Sequence, residues 1–141
     1  MTPTQSLITA CATLVLLTFI VGGRLLQVRV AEMKRKRIHP QAVALSAQRR
    51  EKLEDTRASD NYNHLFEVPV LFYALCATAL AVGEIPAWLV IGAWAFVALR
   101  IVHSLIQCSY NKVMHRLMVF LVGFGLIVAL WMGYAVALIR V

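Results

Sequence analysis

Charge is scarce in this sequence, and acidic charge is scarcer still. Asp, Glu, Lys and Arg make up 15% of the 141 residues and hydrophobic residues 60%, where a soluble domain carries roughly 25% and 45–50%. A mean hydropathy of +0.72 points the same way, against an ordinary soluble fold. Only 7 carboxylates face 14 Lys and Arg, a net charge of +7. Such an excess serves either nucleic-acid binding or the cytoplasmic flank of membrane helices, and its placement decides between them. Cysteine is also sparse. Cys11, Cys76 and Cys108 are odd in number and each lies in or beside an apolar run, which argues against a disulfide framework or a CxxC metal site. His39, His64, His103 and His115 lack HExxH spacing, so no metal is expected. Met1 to Ser6 has no basic residue and no clear cleavage signal follows, so the first apolar run reads as a retained anchor rather than a signal peptide.

What the chain has in abundance is long apolar runs: Leu7 to Gly23, Leu65 to Val82, Ala87 to Ile106 and Leu117 to Ile139. As helices they span about 25, 27, 30 and 34 Å, close to the hydrocarbon thickness of a bilayer. The expected fold is all-α, an integral membrane four-helix bundle in a single domain, with helices at about 5–30, 62–82, 87–108 and 114–139. Gly83-Glu84-Ile85-Pro86 leaves room only for a tight turn, so the second and third helices are antiparallel neighbours. The loop at 31–60 holds Lys34 to Arg37, and Pro40 is expected to open a short helix over Gln41 to Asp55. Lys34 to Arg57 contains eight Lys and Arg, whereas the opposite side has Arg140 alone. The positive-inside rule places this loop in the cytoplasm and both termini outside it. Most of the basic excess is therefore a topology signal and a contact for lipid headgroups, and nucleic acid is not expected.

The remaining polar residues of the apolar segments collect at one end: Arg24 and Arg29, then Asn63, His64 and Glu67, then Arg100 and His103, then Arg116. Counted from the other membrane face, Glu67, Arg100, His103 and Arg24 lie at depths of roughly 20 to 26 Å, one layer near the cytoplasmic surface. Helical spacing puts Asp60, Asn63 and Glu67 on one stripe and Arg100, His103, Gln107 and Tyr110 on another. Guanidiniums, a carboxylate, an imidazole and amides at one depth suit a small anionic molecule. Mutual neutralisation of Glu67 and Arg100 between helices explains the same residues, and the sequence alone leaves both readings open. A small transporter fits less well, since no charge sits near mid-membrane. Gly125, Ala129, Gly133 and Ala137 place a small residue every four positions on the last helix, a packing device.

Asn63-His64-Leu65-Phe66-Glu67-Val68-Pro69, Arg100-Ile101-Val102-His103-Ser104, the following Arg116 and Gln27-Val28-Arg29, in this order on four helices, resemble the MAPEG superfamily, the membrane-associated proteins in eicosanoid and glutathione metabolism. The chain is similar to bacterial members and to microsomal glutathione transferases. The resemblance implies a homotrimer in the bacterial inner membrane that binds glutathione near the cytoplasmic face between subunits. It implies a glutathione-dependent transferase or peroxidase acting on lipophilic electrophiles drawn from the bilayer. Arg29, Asn63, Glu67, Arg100 and His103 would hold glutathione, and Arg116 would activate its thiol. The alternative is a non-catalytic membrane protein of the same fold that binds lipid or a partner protein. The sequence departs from the family pattern in three places. Relatives commonly place Asn three residues before the helix-two Glu, where this chain has His64, with Asn63 one position earlier. Asp60 stands where an arginine is usual, and Gln107 where an aromatic hydroxyl is.

Overall fold

The computed structural model of the protein describes residues 1–139, with every side chain among them except those of Ser46, Arg49 and Arg50; Arg140 lies outside the described residues. It is all helical: α1 (Pro3–Lys36), a 3-10 turn (Pro40–Val43), α2 (Ser46–Lys52), α3 (Arg57–His64), α4 (Val68–Val82), α5 (Ala87–Cys108) and α6 (Val113–Ile139). Four stretches, Pro3–Lys36, Arg57–Val82, Ala87–Cys108 and Val113–Ile139, are long and apolar enough to cross a membrane.

Local chemistry sets the helix ends. Thr2 and Gln5 form a capping box at the start of α1, the Thr2 hydroxyl accepting from Gln5 N at 3.2 Å and Gln5 Oε1 accepting from Thr2 N at 3.0 Å. The helix runs on to Lys36 because Ala31 to Lys36 are good helix formers, and Lys34, Arg35 and Lys36 face the negative end of its dipole. Gly83, at φ 84, adopts the left-handed conformation that ends α4, and Pro86 caps α5. The Tyr134 hydroxyl of α6 donates to the Glu84 carbonyl at 2.9 Å, tying that turn to the bundle.

In two places the helices are shorter than the periodicity predicts. The expected helix over Gln41 to Asp55 divides into the 3-10 turn and α2. Of its apolar residues only Val43 and Leu53 are buried, and helices shorter than ~12–15 residues are marginal without a packed face. The second membrane segment breaks at Leu65 to Glu67. Pro69, second residue of α4, has no N–H to offer the Leu65 carbonyl and its ring crowds that group, so α3 and α4 are separated by a non-helical junction where Glu67 adopts φ −94 and ψ −97.

The core lies between α1, α4, α5 and α6, with Leu7, Leu14, Phe72, Phe96 and Ile127 fully buried. Phe72 and Phe96 stack at 4.9 Å to join α4 to α5. α5 is the central helix and buries ten residues, whereas α1 buries one stripe and turns Phe19, Ile20 and Leu26 outward. Those outward apolar faces are what a bilayer would cover.

The loop is clamped at both ends. The buried Glu32 carboxylate accepts from Glu54 N at 2.8 Å and pairs with Lys36 at 2.9 Å. Arg57 grips Asp55 through two N–H groups at 3.0 and 2.9 Å, and its third donor reaches the Ser109 carbonyl at 3.0 Å at the end of α5. Hydrogen bonding to Arg57 holds the Asp55 carboxyl below the usual carboxylate range. A lowered folded-state value contributes stability above the unfolded value and loses it as pH falls through the folded one. Asp55→Asn is therefore expected to speed hydrogen exchange of loop amides at neutral pH, with the difference from wild type vanishing below the carboxylate range. A difference that persists in acid would show that the clamp is not electrostatic.

Candidate functional site

Two groups of polar side chains occupy the loop end of the bundle. The first centres on Arg100, which is 2% exposed. Its guanidinium lies over the rings of Phe96 at 5.0 Å and Phe120 at 5.5 Å, an attraction of the cation for the ring faces. Gly123 leaves room for it: a Cβ there would stand 3.0 Å from Nη2. Nε and Nη2 are buried with no hydrogen-bond partner. Glu67 is within electrostatic reach of Arg100, yet its own carboxylate is held by His64 Nδ1 at 2.8 Å. His103, one turn beyond Arg100 and buried, meets His64 edge-on at 5.9 Å and Phe120 at 6.4 Å. Arg116 acts on His103 electrostatically, and is anchored by the Asn111 side chain, which accepts from Nη1 at 3.0 Å. Asn111 also supplies the left-handed turn, φ 48, between α5 and α6.

The second group joins α3 to α5. Asn61, fully buried, accepts from the Ser104 hydroxyl at 3.2 Å and donates to Cys108 Sγ at 3.3 Å. Gln107 is also fully buried, and neither atom of its amide has a partner.

Thus Glu67, Arg100, His103 and Arg116 share one neighbourhood, with His64 added and Phe120 against Arg100 and His103. Arg29 lies on the α1–α3 seam, where it donates to Ser59 Oγ at 3.0 Å. Asn63 turns outward and is exposed. The stripe Asp60, Asn63, Glu67 does not persist as one helix face, because α3 ends at His64. Asn61 is the buried amide instead. Its signal was present in the sequence: Ala58 and Leu65, three residues before and four after it, are the apolar positions of the same face, and both are buried. Among the described residues no group of three His, Cys, Asp or Glu forms a metal set.

The model of the MAPEG family matches residues 7–136, which takes in all four membrane segments and both polar groups. The chain belongs to the MAPEG family. It is an integral, multi-pass membrane protein, and its family is that of membrane-associated proteins in eicosanoid and glutathione metabolism. Neither the curated proteins nor the solved structures offer a significant match to this MAPEG chain.

The two buried amides respond oppositely to truncation. Asn61→Ala leaves Ser104 and Cys108 without their partner and is expected to cost about 1–3 kcal/mol, seen as a lowered thermal midpoint in detergent. Gln107→Leu removes an unpaired amide at similar volume and is expected to leave that midpoint unchanged or raised. A lowered midpoint for Gln107→Leu would show that its amide is satisfied in the folded protein.

Proposed function

We propose that this MAPEG protein is a membrane-bound glutathione-dependent transferase, or peroxidase, acting on lipophilic electrophiles and working as a homotrimer. The observation that carries the reading is the Arg100 fork, buried with two N–H groups unpaired beside a histidine and a second arginine. A buried unpaired guanidinium costs several kcal/mol, and a ligand carboxylate would recover it by a bidentate hydrogen bond. Glutathione offers carboxylates for such a fork and a thiol for chemistry. These donors are enclosed in the single subunit.

In this reading Arg29, Asn63, Glu67, Arg100 and His103 position the tripeptide, with the exposed Asn63 facing a neighbouring subunit. Arg116 stabilises the thiolate, since nearby positive charge lowers a thiol's pKa and the thiolate is the nucleophile. It attacks the electrophilic carbon, whose leaving group departs into water or lipid. The 31–60 loop and the α5–α6 turn lie in the cytoplasm and the termini on the other side. Non-catalytic binding of lipid or a partner protein is favoured by one set of contacts: Glu67, Arg29 and Arg116 already bond within the subunit to His64, Ser59 and Asn111.

Glutathione at millimolar concentration is expected to raise the thermal midpoint of the detergent-purified protein, and Arg100→Leu to abolish the shift. Arg116→Ala is expected to retain binding but lose the ultraviolet absorbance of bound thiolate. No shift in wild type would overturn the transferase reading and favour the non-catalytic one; an unchanged thiolate signal would remove Arg116 from activation.

A further inference from the structure

Where α1 leaves the apolar layer, a cleft of about 380 Å³ opens between it and the segment holding Glu54 and Asp55, which leads into α3. Arg24, Gln27, Ala31 and Arg35 line it from α1, at intervals of three or four residues that make one helix face. Glu54 and Asp55 complete the lining together with Glu32. None of these residues is among those assigned to glutathione, so the cleft stands apart from that reading.

Its place along α1 puts it at the membrane surface. Arg24 is the first charged residue after the apolar run that begins at Leu7. It stands about 26 Å along the helix from Leu7, near the far edge of a hydrocarbon core about 30 Å thick. A long exposed arginine there carries its guanidinium out to the level of the lipid phosphates. The helix continues to Lys36, about three more turns, so the rest of the cleft lies in the headgroup layer.

The loop as a whole is basic, but this cleft presents both signs. Among the described residues Arg24 has no hydrogen bond or ion pair and is only within electrostatic reach of Asp55. Its guanidinium donors are free for a ligand. The Glu54 side chain is 80% exposed, and its Oε1 already accepts one ammonium, that of Lys36 at 2.9 Å. Asp55 is shared with Arg57, and the buried Glu32 is closed by Glu54 N and Lys36. A free anion here meets carboxylates and a free cation meets arginines. A molecule with a phosphate and an ammonium a few bonds apart meets opposite charge at each end.

We propose that this cleft binds the headgroup of a phospholipid carrying a primary ammonium, the phosphoethanolamine class, from the leaflet at the loop end of the bundle. The Arg24 fork holds the phosphate through paired N–H···O bonds, and the Gln27 amide, about one turn on, donates to the same group. The ammonium lies at Glu54 and Asp55. The acyl chains run back along the exposed Ile20, four residues before Arg24 on the same side of α1. A choline headgroup has no N–H to donate and a glycerol headgroup has no cation, so neither pairs the carboxylates. A bound headgroup of this kind bridges α1 to the end of the loop, beside the Asp55–Arg57 clamp.

The test uses the full chain purified in detergent and mixed with phosphatidylethanolamine, phosphatidylcholine or phosphatidylglycerol of identical acyl chains. Bound lipid is counted by native mass spectrometry, and the thermal midpoint is read in parallel. Phosphatidylethanolamine is expected to bind several-fold more tightly than either of the others and to raise the midpoint most. Arg24→Gln should lower that affinity several-fold while its lipid-free midpoint stays at the wild-type value. Glu54→Gln should bring the affinities for the ethanolamine and choline lipids together. Lys34→Gln, at an exposed cation outside the cleft, should leave the preference unchanged. Equal affinity of the wild-type protein for the three lipids would overturn the proposal. So would a preference for phosphatidylglycerol, which would assign binding to the basic charge of the loop at large, or an Arg24→Gln variant that keeps wild-type affinity.

Discussion

A guanidinium placed among apolar helices governs how one end of this molecule is built. Moving a charge out of water costs several kcal/mol even after relaxation, and a helix cannot shed its arginine. The protein answers with geometry. Phe96 and Phe120 offer ring faces to Arg100, Gly123 withholds a side chain so that Nη2 can lie against α6, and Glu67 brings opposite charge to the same end. What it does not supply is a hydrogen-bond acceptor for Nε and Nη2. An otherwise well-packed bundle is left with an unmet demand here, as it is at the buried Gln107 amide on the same helix.

The same end holds the only break in a membrane segment among the described residues. Pro69 interrupts the ladder between α3 and α4, and the junction from Leu65 to Glu67 carries the His64–Glu67 pair beside His103. Backbone that is not helical at membrane depth is tolerated where protein or a water-filled cavity covers it. Here Leu65 is buried, while Phe66 and Glu67 are exposed on the surface of the subunit. The other end is plainer: a glycine turn, a proline cap and the Tyr134 hydrogen bond close it.

The two halves of the bundle thus differ in chemistry. Near the loop, charges and amides are gathered and only partly satisfied. In the apolar half the core is built mostly of aliphatic and aromatic side chains, Leu7, Leu14, Phe72 and Phe96 among them.

Hydropathy and charge alone point to four membrane helices, the tight turn at Gly83 to Pro86 and the gathering of polar residues at one end, because length, apolar run and charge placement are one-dimensional properties. Family membership was legible for the same reason, since short motifs keep their order along the chain. Which polar side chain points where is another matter. Asn61 and Asn63 lie two residues apart on α3 and so point to different sides of it, and the packing of that helix on α5 buries Asn61 against Ser104 and Cys108 while Asn63 stays outward. Contacts between residues distant in sequence are decided by which faces the helices bury together, which exists only in three dimensions.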